Sequence, residues 1–483
     1  MQRPNVLLII LDTVRADHLS CYGYSRSTSP NMDRIAKEGV LYKNAYSASC
    51  WTLESLASIF TGLLPNRHDA HWASQRIDDS AVLAAELFKA EAFKTLCLSN
   101  NDCFLNEDTG LDRGFDYFHN VKYLFYPTKD ISPFKRTMND LYQKIFYTRH
   151  KFDLNMSGNS ILRKIYKEHV LGRFHLGAAE TNYRFKKLLG NYANRRDPFF
   201  GTLLYIDAHL PYRPPKKYMD LYFEDRDYQD KLKNINYDAQ KYLAGKAKMT
   251  EEDFAVLRNL YDAEITYVDS KIGEVYDLLK SAGILDNTIL IITSDHGENI
   301  GEHSLMDHRY CLYDTVLRVP LIIRYPEAFK PGHSVDTIVQ STDIVPTLMD
   351  IIGKDHSLPY ELDGRSLIGR DGGDENIAYA EYLFPQPVNK NDEDYQALKK
   401  YLVSIKAIRD EKFKYIMYSD GKELLFNIHD DPDEEKNIID ANRALAADMK
   451  NRILQKTGDF KEYSVNLDME DDYKERLKAL GYL

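Results

Sequence analysis

The chain lacks any hydrophobic run long enough to cross a bilayer. Its N-terminal apolar stretch, Val6-Leu7-Leu8-Ile9-Ile10-Leu11, meets Asp12 after six residues, whereas a membrane helix needs about 20. No small-residue cleavage site follows, so the stretch reads as a strand of a cytoplasmic protein rather than as a leader. Cysteine is sparse: Cys21, Cys50, Cys97, Cys103 and Cys311 are odd in number and form no Cys-x-x-Cys pair, which excludes a disulfide framework and a zinc knuckle and leaves reduced thiols. Excess positive charge is missing too. A formal net charge of −11 argues against a nucleic-acid binder, which usually carries a basic face. Neither repeats nor low-complexity blocks interrupt the chain, so solenoid and disordered architectures drop out.

What is present is a soluble-type composition over 483 residues, enough for a large domain and a smaller one. Short apolar runs bounded by polar turns recur at Val6 to Leu11, Lys94 to Leu98, Phe199 to Ile206, Thr288 to Thr293 and Val319 to Arg324; these predict buried strands. Between them lie amphipathic stretches, most clearly Phe254 to Leu279, with apolar residues at helical spacing. The expected fold is α/β, a large mixed, mostly parallel sheet sandwiched by helices. Ligands of such sheets gather at the carboxyl ends of the strands, where Asp12, Asp207 and Asp295 could converge on one edge.

Past residue 360 the pattern shifts to strand-like runs at Ile377 to Glu381, Val403 to Arg409, Lys414 to Met417 and Glu423 to Phe426, then a charged helical tail. This predicts a catalytic domain over 1–360 and a small C-terminal α+β subdomain over 361–483, joined near the turn-rich Leu362-Asp363-Gly364-Arg365-Ser366-Leu367. Within the first domain, residues 120–196 hold sixteen Lys/Arg against five Asp/Glu, with Tyr and Phe interleaved. Such an insertion is either a solvated helical surface or a basic wall for an anionic substrate, with peripheral contact to anionic lipid or polymer as the further expectation.

Ser49 to Pro65 reads as a hydroxyl-rich turn entering a short helix closed by Gly62 and Pro65. The first helical turn leaves N–H groups unpaired and carries the positive end of the dipole, so a nucleophile placed there can meet an anionic ester. Cys50 and Thr52 compete for that role, beside the simpler reading of a helix cap. At the next strand exit, Ser294-Asp295-His296-Gly297-Glu298 offers a carboxylate and an imidazole to one divalent cation, and Asp12 supplies a second anionic oxygen. His209, in Asp207-Ala208-His209-Leu210-Pro211-Tyr212, and His308, in Asp307-His308, are candidate proton carriers or clamps for a tetrahedral anion.

Assembled, these residues resemble the sulfatase family of the alkaline phosphatase superfamily over almost the whole chain. The carriers are Asn5 to Thr13 with Cys21-Tyr22-Gly23, Ser58-Ile59-Phe60-Thr61-Gly62-Leu63-Leu64-Pro65 and Gly110-Leu111-Asp112-Arg113-Gly114-Phe115-Asp116. To them are added the Asp207 and Asp295 motifs, Asp343-Ile344-Val345-Pro346-Thr347-Leu348, Leu424-Leu425-Phe426-Asn427 with Asp431-Pro432, and the terminal Leu480-Gly481-Tyr482-Leu483.

The resemblance implies a divalent metal, Ca, Mn or Zn, held by Asp12, Asp295, His296 and the nucleophile. Counting back from Thr61-Gly62, the position that sulfatases fill with a cysteine converted to formylglycine falls on Thr52. Cys50 lies two residues early and lacks the Cys-x-Pro-x-Arg maturation pattern, since Thr52 and Glu54 occupy those places; no formylglycine is expected. The chain thus resembles the threonine subgroup, in which metal-bound Thr52 attacks the ester and forms a covalent intermediate. Threonine favours phosphoester or phosphonate chemistry, because water can attack a phosphothreonine at phosphorus.

His209 and His308 would stabilise the anion and leaving group, and Asn101, with Asn100 as the alternative, matches a substrate-side asparagine. Thr13 stands where the family has a second metal-site aspartate. Glu54 and Leu56 replace the family's Pro and His or Arg, and Glu54 would repel an anion there. The competing readings are a sulfuric ester hydrolase working without formylglycine, a phospho-alcohol transferase, whose relatives usually carry membrane helices, and a non-catalytic anion-binding scaffold.

Overall fold

In a computed structural model, β1 (Asn5–Leu11) is buried along its entire length, because parallel neighbours flank it on both sides and helices cover both faces. The structure describes residues 3–120, 177–192, 197–223, 231–232, 235–353, 358–369, 376–386, 388 and 393–461. The main sheet contains β2 (Val40–Tyr46), β3 (Lys94–Ser99), β4 (Tyr117–Asn120), β5 (Phe199–Tyr205), β6 (Thr288–Ser294), β7 (Arg318–Arg324) and β8 (His333–Gln340) besides β1. Its order is β4-β3-β5-β1-β6-β7-β2-β8. Only β7 runs antiparallel to its neighbours, β6 and β2; the sheet is mixed and mostly parallel, as expected. All five predicted strands are there. The three not expected are β2, β4 and β8. Lys43 is exposed in β2, which also breaks register between Tyr42 and Ala45; β4 is a half-buried edge; and β8 begins with exposed residues. Each therefore lacks the continuous apolar run of a central strand.

Alternate side chains of β1 feed two cores: Val6, Leu8 and Ile10 on one face, Leu7, Ile9 and Leu11 on the other. The second core is capped by the helix Glu251–Ser281, whose start is fixed by a reciprocal cap between Thr250 and Asp253. Most of the expected basic insertion, 121–176 and 193–196, lies outside the described residues, as do Leu480 to Leu483. Its described part, Gly177–Tyr192, is a helix that buries Ala178, Phe185 and Leu189 in the second core, so this stretch covers the sheet.

A second, antiparallel sheet has the order β12-β11-β10-β9, formed by β9 (Ala378–Tyr382), β10 (Ile405–Arg409), β11 (Phe413–Tyr418) and β12 (Glu423–Asn427). One face, with Ala380, Tyr382, Ile405 and Ile416, is continuous with the first core. The helix Arg443–Thr457 covers the other with Ala446, Met449 and Ile453. Among the described residues no helix is long and apolar enough to cross a membrane.

Candidate active site

β5, β1 and β6 are adjacent and parallel, so the residues after them share one edge. Asp12 N–H donates to Tyr205 O and Asp295 N–H to Leu11 O, which extends the ladder by one residue and turns both carboxylates out together. Asp12, Asp295 and His296 offer ligand atoms that all lie within 4.8 Å of one another. Each carboxylate is half spent. Asp12 Oδ2 accepts from Asn101 Nδ2 at 3.0 Å; Asp295 Oδ1 accepts from Thr13 N at 3.2 Å and His296 N at 2.7 Å. Asp12 Oδ1 and Asp295 Oδ2 are buried without a hydrogen-bond partner. Two orphaned carboxylate oxygens beside one imidazole are what a divalent cation requires, so these residues fit the metal that the sequence implies.

The electrostatics agree. Burial, reinforced by the neighbouring Asp295, pushes Asp12 up to about 7, and burial pushes Asp295 up to about 8; a cation in their midst would reverse both shifts. Burial also lowers His296, which keeps the ring neutral. His296 Nδ1 donates to Gly297 O at 3.0 Å, so Nε2 presents its lone pair 3.0 Å from Thr52 Oγ1.

Thr52 is the first residue of the helix Thr52–Thr61, which ends at Gly62 in the left-handed conformation. No side chain caps this helix. The Thr52 hydroxyl faces the acidic cluster instead, and the helix dipole adds positive potential there. Cys50 is fully buried, and burial followed by the neighbouring Cys311 pushes its thiol well up. Only its carbonyl serves the site, accepting from His308 Nδ1 at 2.8 Å.

His308 stacks on His296 with ring centres 4.1 Å apart and meets the His209 ring edge-on at 5.3 Å. His209 Nδ1 donates to Leu210 O at 2.6 Å. In both rings, then, Nε2 is the proton-exchanging nitrogen. Burial, with His296 close by, holds His308 well below the ordinary histidine range. The structure brings Thr52, His209, His308, Asp12, Asp295, His296 and Asn101 together, all of them buried.

Other expectations are corrected. Asp207 does not join the acidic cluster: it accepts from Asn100 Nδ2 at 2.9 Å and from Ala178 N at 3.2 Å, because those donors compensate a buried carboxylate. Thr13 does not face the cluster either; at φ +62° it turns its hydroxyl to Ala208 O at 2.9 Å. Glu54 does not repel an anion. Its carboxyl accepts from Ser49 Oγ and, at 3.1 Å, from Leu383 N, and burial pushes its pKa well up, which favours the neutral acid.

Asn101 spends its amide on Asp12 and on Phe104 N, at 3.1 Å. Three residues that sequence reasoning gave no role also lie here. Arg309 is fully buried and ion-pairs Asp307 at 2.6 Å. Its Nη1 donates to Gln386 Oε1 at 3.0 Å. Burial opposes the charge on Asp307, but Arg309 outweighs it and holds the carboxyl below the ordinary range. Asp307-His308-Arg309 is at least a visible run of chemistry; Gln386 carries no signal in the sequence.

Residues 4–354 match the Sulfatase family model. The chain belongs to the sulfatase family. Residues 301–459 also match a model described as N-sulphoglucosamine sulphohydrolase, C-terminal. Among curated sulfatase-family relatives, an arylsulfatase of Clostridium perfringens is 26% identical, over 91% of this chain and 91% of its own. The multifunctional alkaline phosphatase superfamily protein PehA of Trinickia caryophylli is 24% identical, over 91% of each chain. Of solved structures, the phosphonate monoester hydrolase of Agrobacterium radiobacter superposes with a TM-score of 0.70 at 21% identity, over 94% of this chain and 95% of that one. The putative sulfatase yidJ of Bacteroides fragilis gives 0.69 at 19%, covering 95% and 97%. This sulfatase-family fold, with its likeness to both sulfatases and phosphonate monoester hydrolases, supports an ester-cleaving hydrolase.

Proposed function

We propose that this sulfatase-family hydrolase cleaves a small anionic ester, of phosphate or phosphonate type in preference to sulfate, with Thr52 as nucleophile and a covalent Thr52 intermediate. The observation that carries the reading is the Thr52 hydroxyl 3.0 Å from a neutral His296 Nε2, at the rim of the orphaned Asp12 and Asp295 oxygens. Asp12, Asp295, His296 and Thr52 would hold the divalent ion, Ca, Mn or Zn, which when bound lowers the cost of ionising a hydroxyl and offsets charge on the ester. The protein supplies the rest. Asn101 orients Asp12, and the first turn of the Thr52 helix adds positive potential for the incoming anion.

Thr52 Oγ1 gives its proton to the His209–His308 pair as it attacks phosphorus, the P–O bond to the leaving group breaks, and the departing oxygen takes that proton from the pair. Water then attacks the phosphothreonine, giving a proton to the same pair; the bond from phosphorus to Oγ1 breaks and Oγ1 takes that proton back, which regenerates Thr52. Threonine decides between the two chemistries. It has no hydrated aldehyde through which sulfate could be expelled, so a sulfothreonine would need direct attack at sulfur.

The test is a panel of aryl phosphate, phosphodiester, phosphonate and sulfate substrates with Mn²⁺, Zn²⁺, Ca²⁺ and Mg²⁺. Wild type should favour a phosphorus ester, and Thr52→Ala should lose at least ~1,000-fold in kcat. Undiminished turnover by Thr52→Ala, or an aldehyde mass on Cys50, would sink the assignment. A preference for the aryl sulfate would make the chain a sulfuric ester hydrolase without formylglycine.

A further inference from the structure

Glu381 to Gln386, the end of β9 and its exit, touch both halves of the reaction centre. Toward the nucleophile, Glu381 N–H donates to Ala48 O at 2.9 Å, and Leu383 N–H donates to Glu54 Oε1 at 3.1 Å. Glu54 is the third residue of the Thr52 helix, where a glutamate ordinarily stays near water or closes a capping box. Here it is buried, with Ser49 Oγ on its second oxygen, so it ties the turn before Thr52 and the helix after it to β9.

Toward the histidines, Gln386 Oε1 accepts from Arg309 Nη1 at 3.0 Å. Arg309 Nε and Nη2 grip Asp307 Oδ2 at 2.8 and 2.6 Å, and Asp307 Oδ1 accepts the N–H groups of His308 at 2.5 Å and Arg309 at 3.1 Å. Asp307 has φ +79°, a conformation that persists in an L residue only where its surroundings over-determine it. His308 then returns to the nucleophile segment through Cys50 O. The contacts close a ring: Thr52 helix, Glu54, Leu383 to Gln386, Arg309, Asp307, His308, Cys50 and back to Thr52.

We propose that the β9 exit is a clamp that sets the position of His308 relative to Thr52, with Glu54 and Gln386 as its positioning residues. The clamp rests on the reading of Thr52 and His308 as the reacting pair. A closed ring of hydrogen bonds resists shear at the pair better than either link alone, since moving one side strains every other contact. A displacement of about 1 Å at reacting groups costs on the order of 100-fold in rate. Because neither positioning residue reaches the orphaned oxygens of Asp12 and Asp295, metal affinity is expected to fall far less than kcat.

The experiment compares Glu54→Ala, Glu54→Gln, Gln386→Ala, Gln386→Glu and Thr52→Ala on the phosphorus ester that wild type turns over best. Melting temperature and Mn²⁺ affinity by calorimetry are read alongside. The two alanine variants should lose about 10- to 100-fold in kcat with KM within about threefold, lose far less than that in Mn²⁺ affinity, and be largely rescued by Gln and Glu respectively, which keep an acceptor for Leu383 N and Arg309. Alanine variants that melt lower but keep the wild-type kcat, while Thr52→Ala is inactive, overturn the clamp and leave the nucleophile standing. A Thr52→Ala protein as active as wild type overturns both. Should Glu54→Ala fail to fold, Gln386→Ala decides alone: an unchanged kcat overturns the clamp, and a fall in kcat rescued by Gln386→Glu upholds it.

Discussion

Cysteine is intrinsically the better nucleophile, yet Cys50 is sealed in the core with its thiol pushed up, and its carbonyl does the work. Thr52, the poorer nucleophile, lies where a cation and a helix terminus can help it. The preference for Thr52 over Cys50 follows from register against Thr61-Gly62 in the sequence, which also places Asp12, Asp295 and His296 at strand exits. The part of Asn101 shows only in the fold: its amide turns to Asp12 Oδ2, which leaves Oδ1 of that carboxylate for the metal we propose. Residues that orient ligands in this way are worth 10- to 100-fold in affinity. Asn101→Ala is accordingly expected to weaken Mn²⁺ binding by about 10- to 100-fold in calorimetry, at unchanged melting temperature of the metal-free protein; unaltered affinity would refute the role.

At the scale of elements, the turn 295–298 is tightly constrained. Gly297 N–H donates to Val316 O at 2.8 Å, and a Cβ at Gly297 would lie 2.1 Å from Thr315 O. Only a residue without a side chain lets this turn pack on the segment before β7. Gly297→Ala should therefore destabilise the fold by about 1–3 kcal/mol in denaturant titration and also lower metal affinity, because Asp295 and His296 shift with the backbone. A stable variant with normal affinity would show that the turn has slack. The central strands and the long helix were readable because both of their environments are apolar and periodic. β2, β4 and β8 were not, since a bulge, an edge and a half-exposed start remove that signal.

At the scale of the whole molecule, Asp207 joins the end of β5 to Asn100 after β3 and to the first turn of the helix Gly177–Tyr192. Burial pushes its pKa up to about 7 against the donors that lower it. The sign follows: between the unfolded value, near 4, and about 7 the folded state holds the extra proton, so stability falls as pH rises through this window and levels off above it. Asp207→Asn should remove up to one proton from the pH slope of the unfolding free energy over that range; an identical slope would place the proton elsewhere.

By itself the sequence determined the family and the α/β layering, and it singled out the strand-end residues that we propose as metal ligands, because such residues in a fixed order report local backbone geometry that needs no partner to be read. The tertiary structure decided what those residues face. It moved Asp207 out of the acidic cluster, turned Glu54 toward β9 instead of the anion, and drew Gln386, about 80 residues beyond Arg309, against the histidine segment. Such contacts come from the packing of a second sheet on the first core, and no local pattern records them, since a buried hydrogen bond depends on where two distant backbones meet.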